Sequence, residues 1–290
     1  MFIPRRILEE KLRAMLAEDI GEGDITTSLI IPSETVAEAE VISKEAGTVA
    51  GIEEAEIQSE SIGLTTKKCV KDGDKIKSGQ IILKVKGNAR AILVVERTLL
   101  NIVSRMSGIA TATANMVERI RRAEAQTRIC CTRKTAPGLL YFDKKAVLLG
   151  GGDPHRFHLD DMILIKDNHV AIAGSVEKAV KRAKEGASFS KKIEVEVTRT
   201  EDILPAIHSG ADVIMLDNFS PKRVEKAIAL LIDKKLREHV LLEVSGGITQ
   251  KNLLEFASKD VDIISIGTIT NSAKALDISL EIRNTAKKRN

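Results

Sequence analysis

The sequence predicts a two-domain α/β protein, in which a small β-rich module precedes a parallel barrel of alternating strands and helices. The length of 290 residues suits about two domains of roughly 100–200 residues each. Short strands separated by glycine-containing turns fill residues 35–88. Beyond residue 127, apolar runs of strand length alternate with helical segments, a pattern typical of a parallel sheet.

The composition favours a soluble globular protein with an aliphatic core. A net charge of +4, six Phe, one Tyr and no Trp argue against a nucleic-acid-binding surface. No apolar stretch reaches the roughly 18 residues of a membrane span, and the N-terminus lacks a signal-peptide core. Three cysteines make neither a disulfide framework nor a metal-binding spacing. We therefore expect a cytoplasmic protein with no nucleic-acid or membrane partner.

The N-terminal part divides into four segments. Residues 4–17 have the apolar spacing of an amphipathic helix, and residues 18–27 are rich in Gly and Asp and predict a loop. The β-units of residues 35–88 resemble the small modules that carry biotin or lipoate, but no Met-Lys pair is present, so a structural role is favoured. Residues 89–122 predict a long helix that is interrupted at Gly108.

The C-terminal part predicts a closed or nearly closed α/β barrel. Its seven expected strands cover residues 128–131, 146–149, 162–165, 193–197, 213–216, 240–244 and 263–266. Helices are expected between them at residues 175–186, 200–209, 221–235 and 249–258. No GxGxxG motif follows any of these strands, which disfavours a dinucleotide-binding fold.

Cations follow the early strands of this barrel, where the active site of such folds is built. They are Arg133, Lys134, His155, Arg156 and Lys166. Because like charges repel, five cations at successive strand ends indicate a site that holds an anion. Arginine offers a bidentate fork to carboxylate or phosphate, and lysine offers a point charge.

Carboxylates follow the middle strands. Glu196 and Asp217 suit Mg²⁺, which takes one or two carboxylates together with substrate oxygens and water. The alternative for either residue is a salt bridge to one of the lysines. Since Glu194 and Glu196 alternate along one strand, we expect only one of them to face inward, and we select Glu196.

Small residues follow the last two strands and match the phosphate site of α/β barrels. They are Ser245, Gly246, Gly247, Gly267 and Thr268. A helix that begins near residue 249 would add its positive end. The residues alone therefore predict a Mg²⁺-assisted enzyme that acts on a phosphorylated sugar and an acidic co-substrate.

Three motifs carry a resemblance to a known family. They are Thr-Arg-Lys-Thr-Ala-Pro-Gly at residues 132–138, Gly-Gly-Gly-x-x-His-Arg at 150–156 and Ile-Lys-Asp-Asn-His at 165–169. Together with Glu-Arg-Thr-Leu-Leu-Asn at 96–101, they resemble the signature of the quinolinate phosphoribosyltransferases over nearly the whole chain. The resemblance implies an N-terminal α/β sandwich domain at 1–110, joined by the tail 274–290, and an incomplete, open α/β barrel of the type II phosphoribosyltransferase kind at 111–273.

The resemblance also implies a reaction and a role for each matching residue. Quinolinate and phosphoribosyl pyrophosphate would give nicotinate mononucleotide, pyrophosphate and CO₂ in NAD biosynthesis, in a homodimer or higher oligomer with shared active sites. Quinolinate would be held by Arg133, His155, Arg156, Lys166 and, from the neighbouring subunit, Arg97. Lys134 and Lys166 would neutralise phosphates, Glu196 and Asp217 would position ribose and Mg²⁺, and Ser245, Gly246, Gly247 and Gly267 would hold the 5′-phosphate.

Three positions depart from the family pattern: Leu140 stands for Arg, Pro154 for Asn, and Asn271 for His. A related protein associated with molybdenum uptake shares the Thr-Arg-Lys motif but lacks the segment found here at 165–169. A Schiff-base aldolase or isomerase would need a desolvated lysine, whereas Lys134 and Lys166 lie among other charges. A carrier role would leave the charges at the strand ends unexplained.

Overall fold

The computed structural model describes residues 3–287, and the chain forms two compact units. The first comprises Met1–Ala112, Leu148–Gly150 and Ala273–Asn290, and the second comprises Thr113–Val147 and Gly151–Ser272. Among the described residues, no helix combines the length and the apolar character needed to span a membrane.

The first unit contains an antiparallel sheet with helices on its apolar face. Its strands are β1 (Thr35–Ser43), β2 (Gly47–Thr48), β3 (Thr65–Lys68), β4 (Lys75–Ile76), β5 (Ile81–Asn88) and β12 (Ile278–Lys287). Four of them form one sheet in the order β12-β1-β5-β3, and β2 pairs with β4. The helices are α1 (Arg5–Ile20), α2 (Ile25–Ile30), α3 (Ile52–Glu60) and α4 (Ala89–Arg122), which runs past residue 112 into the second unit.

Alternation along β1 explains how this sheet is stabilised. Ala37, Ala39 and Val41 are buried in the core of the unit. Between them, Glu40 accepts a hydrogen bond from Lys84 on β5 at 2.7 Å. The strand therefore buries one face and pairs charges on the other, as expected for a half-covered antiparallel sheet.

Two expectations for the first unit are wrong. The loop expected at 18–27 is shorter, because α1 extends to Ile20 and Asp24 accepts the N–H of Thr27 at 2.9 Å, which caps α2. The long helix is not interrupted at Gly108. A Cβ at Gly108 would lie 3.0 Å from the carbonyl carbon of Lys274, so close backbone packing explains this glycine.

The second unit is an open parallel barrel. Its strands are β6 (Arg128–Cys131), β7 (Ile163–Ile165), β8 (Ile193–Val197), β9 (Val213–Asp217), β10 (Leu241–Ser245) and β11 (Ile263–Ile266). They form one six-stranded sheet in the order β6-β11-β10-β9-β8-β7, so β6 and β7 are its two edges. The predicted fold class, with an open α/β barrel after an N-terminal α/β domain, is confirmed.

The strand expected at 146–149 is wrong, because these residues form the last turns of a helix. The helices of this part of the chain are α5 (Leu140–Leu149), α6 (Asp167–Ala173), α7 (Val176–Gly186), α8 (Ile203–His208), α9 (Pro221–Asp233), α10 (Leu253–Ala257) and α11 (Thr268–Asn271). A short apolar run fits either a strand or a buried helix, and here α5 buries Ala146 and Val147.

The strands of the barrel place apolar side chains on one face and polar side chains on the other. Val195, Leu216 and Val244 are buried beneath the surrounding helices, as is usual for a parallel sheet. The positions between them carry Glu194, Glu196, Met215, Asp217, Glu243 and Ser245, which line cavities inside the barrel. The inner face is therefore polar where the active site of such a barrel is expected.

Candidate active site

A cavity of about 560 Å³ opens at the carboxyl ends of the barrel strands, and the described residues that line it all belong to the second unit. Ten of the residues singled out in the sequence line it: Arg133, Lys134, His155, Arg156, Lys166, Glu196, Asp217, Ser245, Gly246 and Gly247. The topology thus brings cations, carboxylates and glycines from separate strand ends, and from the segment after α5, to one place.

The cationic wall of the cavity contains two arginines, Arg133 and Arg156. The Arg156 guanidinium is buried and donates to the carbonyl of Met162 at 3.4 Å. Burial, and then the nearby charge of Arg133, lower the pKa of Arg156. Two like charges on the wall of one cavity favour the binding of an anion that would neutralise both.

Lys134 is held by its backbone. Its N–H donates to the Thr132 hydroxyl at 3.1 Å, and its carbonyl accepts from the Thr270 hydroxyl at 2.8 Å. Its side chain is left exposed at the cavity mouth, as a lysine that neutralises a bound phosphate would be.

Lys166 and Glu196 form an ion pair across the cavity, with Nζ 2.9 Å from Oε2. The expectation that only one of Glu194 and Glu196 faces inward is wrong, because residues two apart on a strand point to the same face. Glu196 lines the cavity, and Glu194 lies deeper in the barrel, where it is fully buried.

His155 lines the cavity and also contacts the buried carboxylates beneath it. Its Nε2 atom lies 3.1 Å from Oε2 of Glu243 and 3.3 Å from Oε2 of Glu194, and both carboxylates are fully buried. Its Nδ1 atom accepts the backbone N–H of Arg156 at 2.9 Å. We refer to His155, Glu194 and Glu243 as the buried triad. Both ring nitrogens of His155 are therefore engaged by protein groups.

The charges of the buried triad favour a retained proton. Burial opposes the charged form of His155, but hydrogen bonds to Glu194 and Glu243 outweigh it and raise the pKa of His155, which titrates together with the two carboxylates. Burial also raises the pKa of Glu194. Because Nδ1 is an acceptor, the retained protons lie on the other side of the ring, between Nε2 and the carboxylates.

The buried triad has the composition of a metal site, but its hydrogen bonds do not suit one. Its three ligand atoms lie within 4.8 Å of one another. A metal at Nε2 would need that nitrogen unprotonated, whereas the Arg156 N–H already occupies Nδ1, so a neutral ring must carry its proton on Nε2. The triad is better described as a hydrogen-bonded cluster, in which Nε2–H of the ring donates to Glu243 at 3.1 Å.

Backbone geometry explains the two glycines that follow β10. Gly246 and Gly247 have φ values of 90° and 66°, which favour glycine. A Cβ at Gly246 would lie 2.6 Å from Cγ of Asn218, so this glycine packs against the end of the neighbouring strand. The expected helix near residue 249 begins at Leu253 and has five residues, so it offers no helical N-terminus at the glycines.

Two protein-family profiles match most of the chain. The sequence profiles of the quinolinate phosphoribosyl transferase N-terminal and C-terminal domains match residues 24–107 and 109–281. The chain belongs to the quinolinate phosphoribosyltransferase family. It is 46% identical over 272 residues to the probable nicotinate-nucleotide pyrophosphorylase [carboxylating] of Methanothermobacter thermautotrophicus, covering 94% of this chain and 98% of that protein.

Solved structures of similar proteins agree in fold. NadC from Streptococcus pyogenes has a TM-score of 0.90 at 35% identity and covers all of both chains. The nicotinate-nucleotide pyrophosphorylase from Francisella tularensis has a TM-score of 0.86 at 37% identity, covering 97% of this chain and 98% of that one.

Three of the family positions named from the sequence are not among the residues that line the cavity. Gly267 adjoins it, because a Cβ there would lie 3.2 Å from Cδ of Lys134. Thr268 is exposed at the start of α11. Arg97 is exposed on α4 and belongs to the first unit.

The three departures from the family pattern lie at the start of α5, in the segment before His155 and at the end of α11. Leu140 is the first residue of α5. The carbonyl of Pro154 accepts a hydrogen bond from the buried Lys144 ammonium. Asn271 is the last residue of α11 and accepts from the Ser272 hydroxyl at 2.8 Å.

Sequence reasoning missed Glu243, Ser265 and Asn218, which also line the cavity. Glu243 precedes Ser245 by two residues, so alternation from a predicted phosphate-binding residue indicates that it faces inward. Asn218 follows Asp217 directly, and its amide donates to that carboxylate at 2.7 Å. Ser265 gives no such signal, because it lies inside an apolar run.

Proposed function

We propose that this protein transfers the phosphoribosyl group of phosphoribosyl pyrophosphate to quinolinate, with release of pyrophosphate and CO₂, to form nicotinate mononucleotide. One observation carries the proposal. Cations that follow β6, α5 and β7 and carboxylates from β8, β9 and β10 line a single cavity. Such a cavity suits a polyanionic sugar phosphate together with an aromatic dicarboxylate.

The arginines suit the dicarboxylate and the lysines suit the pyrophosphate. Arg133 and Arg156 lie close enough to influence each other's charge, so a dianion between them would relieve their repulsion. Lys134 and Lys166 extend from exposed positions at the mouth, where a leaving pyrophosphate can be met. The glycine loop after Ser245 offers backbone N–H groups to the 5′-phosphate.

The reaction needs positioning and charge stabilisation rather than a covalent enzyme intermediate. The lone pair of the pyridine nitrogen forms a bond to the anomeric carbon of ribose as the bond to pyrophosphate breaks. Lysine charge stabilises the leaving group. The pyridinium that results accepts the electron pair of the adjacent carbon–carboxylate bond, CO₂ leaves, and that ring carbon takes up a proton.

We further propose that Glu196 and Asp217 hold Mg²⁺ together with substrate oxygens. Two carboxylates in one cavity supply the hard oxygen ligands that Mg²⁺ takes alongside phosphates and water. Bound there, the ion would offset negative charge on the pyrophosphate. Glu196 would then exchange its partner, because it is bonded to Lys166 in the protein alone.

We also propose a homodimer or higher oligomer in which Arg97 completes the active site of the neighbouring subunit. The family resemblance supports this proposal. So does the position of Arg97, which is exposed on α4 in the first unit, whereas the cavity is lined by the second unit.

The test is an incubation with phosphoribosyl pyrophosphate and Mg²⁺, with either quinolinate or nicotinate, followed by chromatography for nicotinate mononucleotide. We expect product from quinolinate alone and its loss when Mg²⁺ is chelated. Lys134→Ala should abolish product, whereas Lys226→Ala, an exposed lysine on α9, should not. Product from nicotinate would overturn the assignment of a dicarboxylate site, and the absence of product from both would overturn the proposed reaction.

A further inference from the structure

We propose that Glu194 and Glu243 are positioning residues that act through His155 to hold Arg156 in the cavity for the dicarboxylate substrate. His155 would then serve as the link between the buried carboxylates and the arginine, and not as a direct nitrogen ligand of the substrate. This inference rests on the proposed function and deepens it, because it gives Glu194 and Glu243, beneath the cavity, a role in substrate binding.

The hydrogen bonds around His155 form a continuous chain. The backbone N–H of His155 donates to the Asp153 carboxylate at 2.7 Å. The backbone N–H of Arg156 donates to Nδ1 of the His155 ring at 2.9 Å. On the other side of the ring, Nε2 lies 3.1 Å from Glu243 and 3.3 Å from Glu194. A ring that is held at both nitrogens has one orientation, and it fixes the backbone N–H of the next residue.

The backbone at this point is strained and needs such support. His155 has a φ of 54°, a left-handed conformation that costs a non-glycine residue free energy. The preceding residues are anchored to the edge strand β6, where the Asp153 N–H donates to Ile129 at 2.8 Å. The buried triad therefore completes the anchoring of the segment that carries Arg156 into the cavity.

The carboxylates also balance the cations above them. The charges of Arg133 and Arg156 repel each other, and the charge of Glu194 opposes that repulsion at Arg156. Burial of Glu194 and Glu243 opposes their charge, and the hydrogen bond between Glu243 and Nε2 of His155 offsets part of that cost. The pocket can then keep its arginines close together before the dicarboxylate arrives, which lowers the cost of binding.

The test compares substitutions at Glu243 that differ in whether they keep an acceptor. Glu243→Met removes the acceptor, and Glu243→Gln keeps it. We expect Glu243→Met to weaken equilibrium quinolinate binding about tenfold or more, because the buried Nε2–H donor of His155 would lose its acceptor. The KM for quinolinate should rise, and the KM for phosphoribosyl pyrophosphate should not. Glu243→Gln should restore most of the binding. Glu238→Met, an exposed glutamate, is the matched control and should bind quinolinate normally.

Two further measurements separate positioning from a general loss of structure. In a His155→Ala background, Glu243→Met should weaken quinolinate binding no further. In the otherwise unchanged protein, nitrogen-15 spectra of the His155 ring should show an unprotonated Nδ1. The inference would be overturned by a protonated Nδ1. It would also be overturned if Glu243→Met weakened quinolinate binding equally in the unaltered protein and in His155→Ala. Failure of the unaltered protein to bind quinolinate would instead contradict the proposed function, and the ring spectrum would still test the hydrogen-bond arrangement.

Discussion

The ammonium of Lys166 donates to the carboxylate of Glu196 at 2.9 Å, so a cation from the end of β7 pairs with an anion from β8. The side chain of Lys166 is 48% exposed and that of Glu196 is 11% exposed. Ion pairs as open as this one contribute about 0–1 kcal/mol to stability. The pair is therefore better explained by function than by folding.

We expect Lys166→Ala and Glu196→Gln each to lower kcat/KM by about 10²–10³-fold, as for the loss of a group that stabilises transition-state charge. The free energy of unfolding should change by less than about 1 kcal/mol. The control is Lys84→Ala, which breaks an ion pair with Glu40 of nearly the same exposure, 48% and 15%, in the first unit. Denaturant unfolding and steady-state kinetics measure both quantities, and a stability loss as large as the activity loss would contradict this interpretation.

If Arg97 completes the active site of the neighbouring subunit, as proposed, activity should recover in mixed oligomers. Arg97→Ala and Lys134→Ala proteins should each be inactive, because each site would lack one required cation. After subunit exchange, some sites would receive both intact residues, and part of the activity should return. Activity that stays absent in exchanged samples, with mixed oligomers verified by mass spectrometry, would argue that each subunit builds its site alone.

The glycine loop predicts different outcomes at two neighbouring positions. A Cβ at Gly246 would lie 2.6 Å from the Asn218 side chain and 3.0 Å from its backbone nitrogen. Gly246→Ala should therefore shift the end of β9 and lower kcat/KM about 100-fold. Gly247→Ala meets no atom within 4 Å and should add only left-handed strain of about 1–2 kcal/mol. Steady-state kinetics of Gly246→Ala and Gly247→Ala measure this difference in kcat/KM. Equal losses of kcat/KM would show that the contact with Asn218 is unimportant.

Gly108 predicts a stability effect inside a helix, where alanine usually helps. Gly108→Ala should destabilise the protein by about 1–3 kcal/mol despite its better helix propensity, since its Cβ would press on the backbone of Lys274 and Ala275. Gly186→Ala, in α7 with open space around it, is the control and should stabilise by about 0.4–1 kcal/mol. Thermal unfolding of both variants provides the comparison, and a stabilised Gly108→Ala would refute the proposed packing.

The cysteines predict a stepwise reaction with a thiol reagent. Cys130 and Cys131 are buried in β6, and burial raises the pKa of both thiols, so little thiolate is accessible in the folded protein. Cys69 is exposed. One thiol should therefore react with dithiobisnitrobenzoate at pH 8, and the other two only after unfolding. Cys69→Ser should remove the fast phase, and a fast phase of more than one thiol would contradict the burial of β6.

Local pattern predicted most of the fold, and its errors have identifiable causes. The strands expected at 193–197 and 263–266 match β8 and β11 residue for residue. The run 146–149 belongs to α5, because an apolar segment of four residues fits both kinds of structure. Gly108 looked like a helix break, but the reason for this glycine lies at residue 274, far along the chain.

The sequence by itself determined the family, the barrel and the chemistry of the strand ends, since these depend on residue types and their order. Only the tertiary structure decided that Glu194 lies deeper in the barrel than Glu196, and that Nε2 of His155 lies 3.1 Å from Glu243. His155 follows Asp153, which is bonded to β6, and Glu243 lies on β10, two strands away in the sheet, so the two residues meet only through the tertiary fold. Partners that meet through such topology leave no local pattern, because burial and pairing depend on segments distant along the chain.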